Sequence, residues 1–249
     1  MLTSGVGVKQ VLWYVGYMPY RITPLVNDNY YHIYNRGVEK RTVFSDKHDF
    51  DRFLQVLDYY QFAGPKPAFS NRLCLKENDF SLNPKIVEIV CYCFMPNHFH
   101  ILIRQLKDGG ISEFIRKVTN SYTKYFNTKN HRVGPLFQGA FKAVIIENDV
   151  QFIHVSRYIH LNPYTSELVQ EVGSYPYSSY PHFIGTGSSK ICVAEPILSQ
   201  FKSNEDYKRS LKALPENEFS SSAYKEFVEG HADYARELEY MKHLLIEGE

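Results

Sequence analysis

No run of about 18 apolar residues occurs in the 249-residue sequence, which excludes a membrane-spanning helix, and no membrane is expected as partner. Cysteine is scarce. Cys74, Cys91, Cys93 and Cys192 contain one C-x-C and no C-x-x-C, a poor basis for a zinc knuckle or a disulfide framework. A reduced, cytoplasmic protein is the expectation. Net charge is nearly absent, with 28 Lys and Arg against 27 Asp and Glu for +1. That excludes a histone-like polycation but not a nucleic-acid partner, because the distribution of charge matters more than its sum. Internal repeats and low-complexity tracts are also missing. The stretch Gly5 to Met18 is mildly apolar, but it carries Lys9 and lacks a small-residue cleavage site, so it is not read as a secretory signal. Met18 is an alternative start, because an ordered pattern begins only after Pro24.

Aromatic residues, by contrast, are abundant: 20 Tyr and 17 Phe, enough for a sizeable core. Tyr30 to Arg36 is rich in β-formers and ends at Gly37, and reads as a strand. Asp46 to Phe62 places Phe50, Phe53, Leu54 and Leu57 at helical spacing, and Gly64-Pro65-Lys66-Pro67 stops it. Ile86 to Phe94 is an apolar run suited to a central strand, and His98 to Arg104 returns after the turn Met95-Pro96-Asn97. A helix is expected from Ser112 as N-cap, with the stripe Phe114, Ile115, Val118, Tyr122, Tyr125 and Phe126. Phe141 to Ile146 reads as a strand, and Asp149 to Leu161 as a helix ended by Asn162-Pro163. This order predicts an α+β, ferredoxin-like antiparallel sheet with helices on one face. Three parts are expected: an N-terminal extension over 1–26, a main domain over 27–180, and a helical accessory tail over 181–249.

His98-Phe99-His100 is the first feature with chemical content. Alternation along a strand puts His98, His100, Leu102 and Arg104 on one face, while Phe99, Ile101 and Ile103 face a core. Two imidazoles at i and i+2 can converge on one divalent cation and leave most of its shell open, which suits a metal that must grip a phosphate. Two surface histidines are the competing reading. Phe152 to Pro163 is the second feature. With Phe152, Val155 and Ile159 facing the core, His154, Tyr158 and Asn162 form a polar ridge at i, i+4 and i+8. A phenol has a pKa near ~10 and is a weak nucleophile at neutral pH. It can attack a phosphodiester when a metal and nearby cations stabilise the developing charge. His154 and His160 are otherwise read as helix-surface residues.

Together these segments resemble the single-tyrosine HUH transposases, especially the REP-associated tyrosine transposases. The matching stretches are Tyr31 to Gly37, Phe94 to Leu102 (FMPNHFHIL), Gly134 to Lys142, and Arg157 to Pro163 (RYIHLNP), all within about residues 29–182. Ala140 departs from the family pattern, in which Arg is common at that position. The resemblance implies a domain that cuts and rejoins single-stranded DNA, with a hairpin or imperfect palindrome as target and a monomer or homodimer as the working unit. His98 and His100 would be metal ligands for Mg²⁺ or Mn²⁺, joined by Asn162. Tyr158 would be the nucleophile that forms a 5′-phosphotyrosine.

Charge distribution fits a DNA partner. From Ser112 to Ile146, Arg116, Lys117, Lys124, Lys129, Arg132 and Lys142 face only Glu113, a net of +5. Lys117, Asn120 and Lys124 lie opposite that helix's apolar stripe, and Arg36, Lys40 and Arg41 form a second basic edge. Arg36, Lys40, Arg41, Arg116, Lys117, Lys124, Arg132 and Lys142 are thus the candidate DNA contacts. Ser203 to Glu249 carries a net of −5 and is expected to cover part of the basic surface or to restrain non-specific binding. A non-catalytic RRM-like module stays open as a rival; it calls for stacking aromatics on the two central strands. A zinc hydrolase needs a third protein ligand that no H-E-x-x-H supplies. A relaxase-type nickase would share the chemistry.

Overall fold

The computed structural model describes residues 24–64, 69–70, 83–201 and 216–237. Residues 1–23 of the expected extension, with Met18, lie outside these. So do Cys74, the prolines of the Gly64 to Pro67 stop, and residues 202–215 and 238–249 of the acidic tail. Among the described residues, no helix is long and apolar enough to cross a membrane.

Four strands form one antiparallel sheet: β1 (Tyr30–Arg36), β2 (Val87–Met95), β3 (His98–Gln105) and β4 (Lys142–Ile145), in the order β2-β3-β1-β4. With α1 (Lys47–Tyr60) between β1 and β2, and α2 (Gly110–Lys129) between β3 and β4, this is the ferredoxin-like arrangement. The two crossover helices cover one face. Their residues Phe53, Leu57, Phe114, Val118 and Tyr122 pack with Phe99, Ile101 and Ile103 of β3. Asp46 caps α1 by accepting from the Asp49 N–H, and the Asp49 carboxylate accepts in turn from the Ser45 N–H.

The other face is covered as well, which the strand and helix order did not foretell. The third long helix, α3 (Asp149–Thr165), lies there with α4 (Tyr180–Phe183), α5 (Glu195–Leu198) and α6 (Glu216–Glu229). Phe152 and Ile159 of α3 join Cys91, Cys93, Leu102, Phe183, Ile197 and Tyr224 in a second core. Burial on both faces explains why β2 reads as a continuous apolar run. A β-bulge between Ile89 and Cys91 sharpens this: Ile89 pairs with Ile103 and Cys91 with Leu102, so Val90 is extra. Ile89 and Tyr92 therefore serve the first core, while Val90 and Cys91 serve the second.

Two boundaries differ from expectation. Helix α2 starts at Gly110, with Gly109 as its N-cap at φ 67°, rather than after Ser112. A left-handed cap suits glycine, and the helix begins where it passes under the end of β2. A Cβ at Gly110 would stand 2.4 Å from the Ile86 carbonyl oxygen. Gly110→Ala should therefore lose about 1–3 kcal/mol through overpacking. The loss should appear as a lower urea midpoint with an unchanged m-value, and an unaltered midpoint would contradict the close approach. Helix α3 runs through Pro163 to Thr165 rather than stopping at Asn162. Proline removes one N–H near the helix end, and the Ser166 N–H still closes the last turn on the Asn162 carbonyl.

Candidate active site

Register brings the site together. In the β1–β3 pair, His32 stands opposite Leu102, Tyr34 opposite His100, and Arg36 opposite His98. Opposed residues share a face, so β1 contributes an imidazole, a phenol and a guanidinium beside the two histidines. Strand β4 adds Lys142 opposite Tyr34 and Val144 opposite His32. Helix α3 crosses this face and sets the Tyr158 ring edge-on to His100, with centroids 5.5 Å apart, and to His32 at 5.9 Å. Tyr158 is half exposed, at 50%, so its hydroxyl-bearing ring borders both the histidines and solvent.

The hydrogen bonds fix the ring of His98. Asn97 gives its amide N–H₂ to the Lys40 carbonyl at 3.3 Å, so its Oδ1 is the atom that meets His98 Nδ1, at 2.5 Å. An amide oxygen only accepts, so His98 carries its proton on Nδ1 and keeps a lone pair on Nε2. His100 Nδ1 is likewise engaged, by His32 Nε2 at 2.9 Å. Burial holds all three rings neutral. It lowers the pKa of His32 to about 4 and that of His98 to about 4, the latter with help from the Arg36 charge. His100 falls well below the usual imidazole value, by burial first and then by the adjacent His32, His98 and Arg36.

Two neutral imidazoles suit a divalent cation where each turns a ring-nitrogen lone pair to it. On α3, the Asn162 amide nitrogen donates to the Tyr158 carbonyl at 2.8 Å. Among the described residues, no group of three or more His, Cys, Asp or Glu is arranged to enclose a metal.

Other expected site residues are dispersed. Arg36 and Lys142 lie on the Tyr158 face, both exposed. Lys40 and Arg41 follow β1, where Arg41 contacts Glu39 at 3.2 Å. Arg116, Lys117 and Lys124 are on α2, across the sheet from Tyr158. There they line a cavity of about 570 Å³ with Arg52 and Tyr125. Lys117 pairs with Glu113, and Arg132 bonds the Asn127 side chain and the Pro135 carbonyl, tying the turn after α2. Lys129, counted in the +5 segment, is paired with Asp46 and with the buried carboxylate of Asp49.

Two expectations about α3 need correction. The ridge of His154, Tyr158 and Asn162 is split, because i, i+4 spacing advances about 40° each step. His154 meets Phe227 of α6 at 5.5 Å, while Asn162 is buried. His160 is not a surface residue but fully buried. Its Nδ1 meets the Tyr224 hydroxyl at 2.7 Å and its Nε2 the Ser179 hydroxyl at 2.9 Å. A separate finding concerns residues of β1 that the sequence reading did not assign. His32 and Tyr34 belong to the site, and the alternation of Tyr30 to Arg36 already placed them on one face with Arg36.

Residues 79–162 match the family described as Transposase IS200 like, a segment that holds β2, β3, α2, β4 and α3 as far as Asn162. This bears out the resemblance drawn from the motifs. No curated protein matches the chain. Among solved structures, the chain is similar to a REP-associated tyrosine transposase bound to a REP hairpin. The identity is 14%, the coverage 72% of this chain and 93% of that one, and the TM-score 0.49.

Proposed function

We propose that this chain, which carries an IS200-like transposase segment, is a metal-dependent single-stranded DNA nickase and strand transferase that works through a 5′-phosphotyrosine on Tyr158. The observation that supports this most directly is the Tyr158 ring held edge-on to His100, beside the pair His98 and His100, whose rings stand 4.9 Å apart. His98 and His100 would hold Mg²⁺ or Mn²⁺, with the Asn162 oxygen as a further donor. The ion, when bound, would polarise a non-bridging oxygen of the scissile phosphate.

The chain's own residues do the rest. Arg36 and Lys142, on the same sheet face, hold the phosphate and neutralise charge that builds on it. Tyr158 oxygen attacks phosphorus in line, giving its proton to solvent. The bond from phosphorus to the 3′ oxygen breaks, and that oxygen leaves as a protonated 3′-OH. Phosphorus stays bonded to tyrosine and to the 5′ oxygen of the downstream strand. A DNA 3′-OH later attacks the adduct and restores the phenol, so no nucleotide cofactor is consumed. Hairpin-bearing single strands are the proposed substrate form. The RRM-like alternative needs an open platform on the two central strands, β3 and β1, and is disfavoured by α3, which packs on β3 and sets Tyr158 edge-on to His32 of β1.

Incubation with Mn²⁺ and a pool of hairpin oligonucleotides with randomised single-stranded flanks tests the reading. A protein–DNA band that resists denaturing electrophoresis is expected, together with its loss on chelation or in His98→Ala. A pool that yields no adduct, or adduct formed equally under chelation, would overturn it.

A further inference from the structure

His32 and His100 meet side by side rather than face to face. Their centroids are 5.1 Å apart and their nitrogens 2.9 Å apart, which leaves room only for the two ring radii. With 23° between the ring planes, the shared proton lies along the line joining the rings. That is the geometry of an in-plane N–H···N hydrogen bond.

Two neutral imidazoles can share this proton in two ways. If His32 Nε2 donates, His100 accepts on Nδ1 and must carry its own proton on Nε2, where it can bind no metal. If His100 Nδ1 donates, His32 accepts and His100 Nε2 has a lone pair. Only the second arrangement matches His98, whose Nδ1–H is fixed by Asn97. Asn97 and His32 then play the same part for consecutive histidines on one strand face. Tyr34 supports both rings, at 5.2 Å from His32 and 5.8 Å from His100.

We propose that His32 is a positioning residue: it accepts the Nδ1–H of His100 and so holds His100 in the tautomer whose Nε2 can ligate a divalent cation. The proposal rests on the reading above, in which His98 and His100 hold the metal. His32 itself is not a ligand, because its Nε2 is turned to His100. Partners of this kind fix ring orientation and tautomer, and their loss commonly weakens metal affinity about 10–100-fold.

The test compares the full chain with His32→Phe, which keeps a planar ring but accepts nothing, and His32→Gln, whose amide oxygen can accept. Nitrogen-detected spectra of histidine-labelled, metal-free protein at pH 7.5 should show His100 protonated on Nδ1 in the parent and in His32→Gln. The signal should move toward Nε2–H in His32→Phe. His160, bonded elsewhere, gives an internal control for folding in the same spectrum. Mn²⁺ titration should show a 10–100-fold weaker dissociation constant for His32→Phe and a partial or full rescue by His32→Gln. Electron spin-echo spectra of bound Mn²⁺ should count two imidazoles in both parent and His32→Gln.

A parent protein with His100 protonated on Nε2 would overturn the proposal. So would a His32→Phe protein that keeps both tautomer and affinity, or a third imidazole lost in His32→Gln. A parent that binds no Mn²⁺ sinks the metal reading instead, and the tautomer spectra then decide the His32–His100 bond by themselves.

Discussion

Tyr158→Phe should abolish covalent attachment to DNA, a fall of at least about 10⁴-fold in the cleavage step, while leaving DNA binding intact. Removing a nucleophile deletes an atom that acts in the transition state, so its cost falls on kcat rather than on the ground-state complex. The phenyl ring keeps its edge contacts with His100 and His32. Because the site is half exposed, the variant should stay within about 0.5 kcal/mol of the parent in stability. Single-turnover cleavage of a pre-bound oligonucleotide and a fluorescence binding curve separate the two effects. Adduct that persists would assign the nucleophile to another residue. A mixing experiment adds topology. Tyr158 lies against the histidines of its own chain, so Tyr158→Phe mixed with His98→Ala should recover no activity. Recovery would mean that α3 is exchanged between subunits.

How much of this was legible in the sequence depended on the range of the interaction. Alternation along β3 placed His98 and His100 together with no further information, because neighbours on one strand face are set by backbone geometry alone. The same alternation placed His32, Tyr34 and Arg36 on one face of β1. What sequence could not give was the register that sets Tyr34 beside His100, since pairing across 65 intervening positions is fixed by turn and core packing together. Helix α3 was misread for a related reason. A helix with one apolar stripe declares its buried side, but α3 is enclosed by the sheet and by α6 and buries Phe152, Ser156, Ile159, His160 and Tyr164 on several sides. Its polar residues therefore looked like surface. The basic residues of α2 were identified correctly as an exposed face, yet that face lies across the sheet from the tyrosine. Charge counted along a sequence does not say which layer it belongs to.

His160 carries the second large effect, on stability. Its ring joins three parts of the second core: α3 through its own backbone, α6 through Tyr224, and the segment before α4 through Ser179. Tyr224 passes its proton to Ser156 of α3 at 3.0 Å, and Ser179 Oγ accepts from the Tyr92 N–H of β2 at 2.9 Å. His160→Ala leaves a cavity and takes one of the partners from each of two buried hydroxyls, so about 3–5 kcal/mol should be lost. Because Tyr158 sits two residues away on the same helix, adduct formation should fall with the loss of α3 docking. The ring also sets a pH dependence. Burial pushes the His160 pKa down to about 3, whereas an unfolded histidine titrates near ~6.5. As pH falls below that value, the unfolded chain takes up a proton that the folded chain refuses, so stability declines with acid. The slope from this group is up to about 1.4 kcal/mol per pH unit. His160→Gln keeps a donor and an acceptor but cannot titrate, so its urea-derived stability should fall less steeply between pH 6.5 and 4. His32 and His98 titrate in the same window in both proteins, and the difference between the two slopes belongs to His160. Equal slopes would mean that acid reaches this core only after it has opened.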